Sequence, residues 1–346
     1  GGTYHGLFAQ PSNIFRPRHW RMIRDILRFF KEAPASLPSL CDDESLSDYL
    51  KRLGYSDDFA KYHLLPMAAA IWSSRLQDML DYPAKAFIRF FQNHGLLQVS
   101  GRPSWGTVQG GASSYIDKVL EDSYIRIVTN SPISGIKRYP HCVELNTRNG
   151  TERFDHVVIA SHADQALGML SDPSFVEQDL LGSFQYSRNR AVLHTDRRFM
   201  PKRKLTWASW NYMELGQSGV AKGDPDLCLT YWMNSLQDLP TKRDVFVTLN
   251  PPESARIEGV ATSIDYMHPV FDGKAMEAQR DLWSLQGTNR TWYCGAHFGS
   301  GFHEDGLQSG LAVAEQLGNV RRPWTVENES GRIFMDRLAE IREAAE

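Results

Sequence analysis

The chain has 346 residues, 42% of them hydrophobic and 23% charged, with 38 Lys and Arg against 41 Asp and Glu for a formal net charge of −3. This balance excludes the strongly basic footprint of a nucleic-acid-binding domain, though not a local basic patch. No apolar run approaches the roughly 20 residues of a membrane span. The first fifteen residues carry no basic n-region before an apolar core, so they are no signal peptide. Cys41, Cys142, Cys228 and Cys294 form no CxxC pair, which points to reduced thiols and a cytoplasmic protein.

In chain order, residues 12–34 read as a cap and a helix, with Pro17 early. Trp20, Ile23, Ile26, Leu27 and Phe30 recur at helical spacing as one apolar face, and Arg21, Arg24, Asp25, Arg28 and Lys31 fill the rest. Pro34 and Pro38 end it. Such a helix docks on a core or, less commonly, lies on a membrane surface. Ser45–Leu53 is a second helix stopped by Gly54, and 56–73 a third with a kink at Pro66. Ala84–His94, closed by Gly95, is a fourth. The first hundred residues are therefore mainly helical.

After Gly101 the texture changes. GTVQGGASSYIDKVL reads as a loop and a helix start, IRIVTN as a short strand, and HVVIAS as a buried strand. Val143 and Leu145 alternate with polar residues, and Asn149-Gly150 signals a hairpin. Residues 190–270 are strand-rich (RAVLHTD, LTWASWNY, LCLTYWMN, DVFVTLN), which suggests an antiparallel sheet. The aromatics at 207, 210, 212, 231 and 232 read either as sheet core or as the wall of an apolar cavity. Trp72 has the same two readings. The tail beyond Pro323 reads as a charged surface helix.

Residues 291–318 carry the strongest chemical signal. Thr291–Cys294 end a strand, Gly295, Gly299 and Gly301 open a loop that permits close backbone approach, and His303, Glu304, Asp305 and Gly306 enter a helix. Gly310 and Ala312 keep that helix thin. Its N-terminus favours phosphate or an electron-rich ring. Glu304 and Asp305 suit a ribityl or ribose hydroxyl, or simple N-terminal capping. His303 reads as a substrate-site group or a structural histidine, and His268 and His297 are further candidates near a cofactor. No HExxH or GxSxG pattern occurs, so neither a metal site nor a serine hydrolase is indicated.

The segment CGAHFGSGFHEDGLQSGLAVAEQLG resembles the C-terminal flavin-binding motif of the flavin-containing amine oxidase superfamily. RPRHWRMIRDILRFFKEAP, LPMAAAIWSS, YPAKAFIRFFQNHGLL, VQGGASSYIDKVL and YMHPVFDGKAMEAQ are similar to its bacterial branch of NAD/FAD-binding amine oxidoreductases. The resemblance covers nearly the whole chain. It implies an α/β fold: an FAD-binding Rossmann-like domain of the amine-oxidase type, truncated at its N-terminus, with a helical plus antiparallel-sheet substrate domain. The implied layout is 1–100 helical substrate part, 101–170 FAD-binding part, 171–284 antiparallel-sheet substrate part, 285–322 C-terminal FAD motif and 323–346 tail.

Carried over residue by residue, the resemblance implies that Ile133 sits against adenine and that Ala160 and Ser161 pack near the pyrophosphate. Gly295 and Ala296 would pass the pyrophosphate and ribityl chain. Glu304, Asp305, Gly306 and Leu307 would lie near the flavin, and Gly110 and Gly111 would form the turn out of the helical part. Trp72, Trp207, Trp210, Trp232 and His303 are the substrate-side candidates. The family's opening strand, G-x-G-x-x-G loop and helix are not found in this sequence, which puts FAD binding and activity of the chain itself in question. The implied reaction is hydride transfer to FAD from an amine or from an unsaturated or modified fatty acyl substrate. The alternative is a nucleotide-binding protein or fragment without catalytic activity. No nucleic-acid partner is expected, and peripheral membrane contact is left open.

Overall fold

The structure is a computed structural model and describes residues 6, 8–41, 43–72, 79–99, 101, 106–121, 123–214, 227–327 and 329–335. They divide into two compact units, Gly1–Ile125 with Ser187–His268, and Arg126–Tyr186 with Pro269–Glu346.

The first unit is half helix and half sheet. Helix α1 (Pro17–Ser36) keeps Pro34 inside its last turn rather than ending there. Helix α2 (Leu46–Arg52) starts at Ser45, whose hydroxyl accepts the Asp48 N–H at 3.1 Å. The next run is α3 (Asp57–Phe59), a π turn (Ala60–Leu64) and α4 (Leu65–Trp72). Pro66 has no N–H to return to the preceding turn, and the turn before it is widened into a π turn. Helix α5 (Ala84–Asn93) follows. Trp72 is buried within a ring cluster of Tyr82, Phe87, Phe90 and Phe91.

The expected face of α1 is corrected by burial. Asp25 is fully buried with Ile26, Phe29 and Ala33, whereas Trp20 and Leu27 are half exposed. Asp25 is accommodated because its carboxylate accepts the Ser56 N–H at 3.1 Å, closing the entry to α3. Helix α6 (Ala112–Glu121) buries no residue.

The five-stranded sheet of this unit has the order β6-β7-β8-β5-β9, from β5 (Gln185–His194), β6 (Trp210–Glu214), β7 (Leu227–Trp232), β8 (Phe246–Leu249) and β9 (Thr262–Val270). Strand alternation divides its residues between two faces. One face sets Leu229, Leu249 and Ala191 against Ala70 of α4, with Tyr212 and Tyr231 beside them. The other buries a polar chain: His194 Nε2 lies 2.7 Å from Thr248 Oγ1, which lies 2.8 Å from Thr230 Oγ1.

The second unit holds β1 (Ile133–Arg138), β2 (Val143–Thr147) and β3 (Gly150–Phe154) as an antiparallel sheet turning at Asn149-Gly150. A separate parallel pair joins β4 (Val157–Ile159) to β10 (Thr291–Tyr293). Helices α7 (Ala163–Met169), α8 (Phe175–Gly182), α10 (Gly273–Gln279) and α11 (His303–Gly318) complete it, and α9 (Met233–Leu236) belongs to the first unit. Trp292 and Cys294 pack on Val313 of α11.

Two further expectations are corrected. Residues 125–130 form no strand: Ile125, Ile127 and Val128 are more than half exposed, and no ladder pairs them among the described residues. The described tail residues, 323–327 and 329–335, form turns and no helix; 336–346 lie outside the described residues.

Candidate functional site

The candidate cofactor elements lie in the second unit. β4 and β10 run side by side, Val157 opposite Thr291 and Ile159 opposite Tyr293, and the Cys294 N–H continues the ladder to Ile159 O at 3.1 Å. Their carboxyl ends therefore emerge together. Ala160 and Ser161 follow one strand, Gly295 and Ala296 the other. Dinucleotides bind outside the carboxyl ends of strands in such parallel sheets.

The loop between β10 and α11 is held by its own side chains. The Gly295 N–H donates to Ser309 Oγ at 3.0 Å, which ties the strand end to α11. Gly295 has φ +152°, and a Cβ there would lie 2.8 Å from His297 Nδ1. At Gly299 a Cβ would meet the Asp305 carboxylate at 2.5 Å. These glycines are required by protein packing, whatever they offer a ligand. Gly310 has nothing within 4 Å of a Cβ, so the expected need for a thin helix there is not met.

Asp305 is fully buried and already engaged. Its Oδ2 accepts the Phe302 N–H at 2.8 Å, and its Oδ1 accepts from Arg332 Nε at 2.6 Å. Of the two readings of this acid, the geometry is that of a helix cap. Glu304 is exposed and accepts from Gln308 Nε2 at 2.9 Å. Leu307 and His303 are exposed, and Gly306 packs near the Ala296 N–H. Ile133 lies in the separate β1-β2-β3 sheet, paired with Thr147. The structure thus brings Ala160, Ser161, Gly295, Ala296 and the first turn of α11 to one place, and sets Ile133 in another sheet.

Sequence reasoning missed the residues that shape this loop from afar. Gln279 Nε2 donates to His297 O at 2.8 Å, and Arg332 closes on Asp305 from beyond the helix. Neither belongs to a local pattern that would announce it. His297 is buried edge-on to Phe184, and burial, with His162 nearby, lowers its imidazole pKa to about 4. It is neutral at pH 7. Among the described residues no three His, Cys, Asp or Glu side chains gather as metal ligands would.

The substrate-side candidates lie in the first unit, where a chamber of about 830 Å³ opens between the 57–72 helical run and the sheet. Tyr62, Pro66, Met67 and Ala70 line one side, and Trp210, Tyr212 and Leu229 the other. That volume falls within the roughly 300–1,000 Å³ of small-molecule sites. No Asp, Glu, Lys or Arg is among its described lining residues; His63 is the one imidazole.

Of the four tryptophans, Trp210 alone lines this chamber. Trp232 stands on the opposite sheet face, packed edge-on against Trp207 at 5.2 Å, and both belong to the cluster around Phe246. Trp207 precedes β6 and donates its indole N–H to Pro201 O at 2.7 Å. Trp72 belongs to the helical core.

The residues at the β4 and β10 ends fit part of a flavin cradle: two adjacent strand ends and a sixteen-residue helix entering beside them. The sequence supplies no G-x-G-x-x-G loop to the same sheet.

The family described as flavin containing amine oxidoreductase matches residues 33–272. No curated protein sequence matches the chain significantly. Among solved structures, a CLA-producing fatty acid isomerase from P. acnes is 13% identical, with a TM-score of 0.51 over 81% of this chain and 70% of that one. Putrescine oxidase bound to putrescine is 12% identical, with a TM-score of 0.57 over 86% and 76%. Cyclohexylamine oxidase from Brevibacterium oxydans IH-35A is 14% identical, with a TM-score of 0.54 over 86% and 76%. At these identities the likeness is one of fold.

Proposed function

The chain belongs to the flavin containing amine oxidoreductase family, whose members are FAD-dependent oxidoreductases, and from that premise we propose that it oxidises a substrate with a long apolar, uncharged body, of the unsaturated or modified fatty acyl class. The observation that carries this reading is the chamber against α4, with no Asp, Glu, Lys or Arg among its described lining residues. Burying alkyl chain there gains roughly 0.8 kcal/mol per CH₂. A diamine would bring a second ammonium into the same volume, where no carboxylate stands among the described lining residues to pair it, at a cost of several kcal/mol.

Ala160, Ser161, Gly295, Ala296 and the first turn of α11 would hold the flavin, which when bound supplies the hydride acceptor. Tyr62, Met67, Trp210 and Tyr212 would orient the substrate and keep water from it. Asp305 and Ser309 hold the cofactor loop in shape and exchange no proton with substrate. No side chain is assigned as catalytic acid or base.

The test is direct. After incubation with FAD and gel filtration, the protein carries flavin absorbance in near-equimolar amount, and Gly295→Ala lowers it. Protein that emerges free of flavin at every FAD concentration would overturn the cofactor assignment.

A further inference from the structure

Helix α1 is built contrary to what a helix docking only on a core requires. It buries Asp25 and leaves Trp20 and Leu27 about half exposed. The turn before it exposes Ile14 at 46% and Phe15 at 86%. At 3.6 residues per turn, Trp20 and Leu27 share the solvent side with Arg24 and Lys31, and Arg21 and Arg28 flank them. Between residues 14 and 31 the chain has six Lys or Arg (Arg16, Arg18, Arg21, Arg24, Arg28 and Lys31) and one acid, Asp25, while the whole chain is net negative. Asp58 and Glu32 pair Arg18 and Arg28. Arg24 reaches only the buried Asp25, and Arg16, Arg21 and Lys31 have no ion pair among the described residues.

We propose that this face of α1 and its preceding turn seats on an anionic phospholipid bilayer. Phe15, Trp20 and Leu27 enter the boundary between headgroups and acyl chains, and Arg16, Arg21, Arg24 and Lys31 pair with lipid phosphates. Aromatic and aliphatic side chains between cations are the composition of helices that lie in this plane, and each cation near an anionic surface adds to the attraction. A nucleic acid would use the cations and leave Ile14, Phe15 and Leu27 in water. No helix among the described residues is long and apolar enough to cross a membrane, so the contact is lateral. Helix α1 packs on α3, and the run from α3 continues to Tyr62, which is 57% exposed and lines the chamber. The seat and the helical wall of the chamber thus belong to one unit, and acyl substrates partition into the surface it would face. Binding of this kind needs no flavin.

Co-sedimentation of the full chain with vesicles tests it. Wild type sediments with vesicles of mixed phosphatidylglycerol and phosphatidylcholine, and at least tenfold more weakly with phosphatidylcholine alone or in high salt. The triple variant Arg16→Glu, Arg21→Glu, Lys31→Glu weakens binding at least tenfold, and Phe15→Ser with Leu27→Ser weakens it even at low salt. Lys242→Glu with Arg243→Glu, exposed elsewhere on the same unit, leaves it unchanged. Circular dichroism confirms that each variant is folded. The proposal is overturned if wild type ignores the anionic vesicles, if the α1 variants bind as wild type does, or if the Lys242/Arg243 variant loses as much. Duplex DNA retaining the protein while vesicles do not would also overturn it.

Discussion

The Tyr293 hydroxyl donates to Glu177 Oε1 at 2.7 Å inside the second unit, and Arg138 closes on the same carboxylate from the other side. Strand β10, helix α8 and strand β1 meet at this buried carboxylate, and Ser174 Oγ adds a capping bond at 2.9 Å. Burial alone would push the Glu177 carboxyl up. The hydrogen bonds from Arg138, Tyr293 and Ser174 outweigh it and hold the pKa at about 2. Glu177→Gln leaves Arg138 buried with its charge under-compensated, because Asp172 beside it is partly exposed. The expected loss is about 3 kcal/mol, read as a lower urea midpoint with an unchanged slope.

The same carboxylate sets an acid limit. Its folded pKa lies below the unfolded value, so its stabilisation is present above about 4.5 and disappears as pH falls toward 2. Urea titrations from pH 5 to pH 2 should show this loss in wild type and a flatter profile in Glu177→Gln. Parallel profiles in the two proteins would contradict the assignment.

His297 acts in a higher window. Burial depresses its pKa to about 4, so the unfolded chain takes up a proton first. Stability is complete above about 6.5 and falls by about 3 kcal/mol as pH drops to 4. Below 4 this group contributes no further slope. His297→Phe keeps a ring beside Phe184 and should remove the decline between pH 6.5 and 4, leaving the Glu177 limit in place.

Gly295→Ala tests the loop at the β10 end. The left-handed φ and a Cβ 2.8 Å from the His297 ring both oppose a side chain. A stability loss of about 1–3 kcal/mol is expected. Gly310→Ala, which has open space, should cost nothing and raise helix propensity. Equal effects of the two substitutions would show that the loop does not need its glycine.

These cases show what the sequence could and could not display. The Asn149-Gly150 hairpin and the β10-loop-α11 unit were legible because turn residues and periodicity are local signals. IRIVTN has strand composition but no ladder partner among the described residues, and a strand is defined by its partner. Strand parity sets Tyr231 and Trp232 on opposite faces from the sequence alone, but which of them shares a face with Trp210 is fixed by the cross-strand register, in which Tyr231 opposes Trp210. Asp25 could not be read as buried, because its partner is a backbone N–H thirty-one residues away. Gln279 and Arg332 were invisible for the same reason: their targets are fixed by tertiary contact.

Met67→Glu introduces a carboxylate into the chamber wall opposite Trp210 and Tyr212. On the proposed function it lowers kcat/KM for a long-chain acyl substrate at least tenfold and improves that for a diamine relative to it. Steady-state rates with both substrates measure the ratio. A ratio that does not move would place the substrate elsewhere.

The most direct measurement is anaerobic mixing of the FAD-loaded protein with a long-chain unsaturated fatty acid and, separately, with putrescine at equal concentration, following oxidised-flavin absorbance. The account predicts that the fatty acid bleaches the flavin and putrescine leaves it unchanged. Bleaching by putrescine with no response to the fatty acid would contradict it.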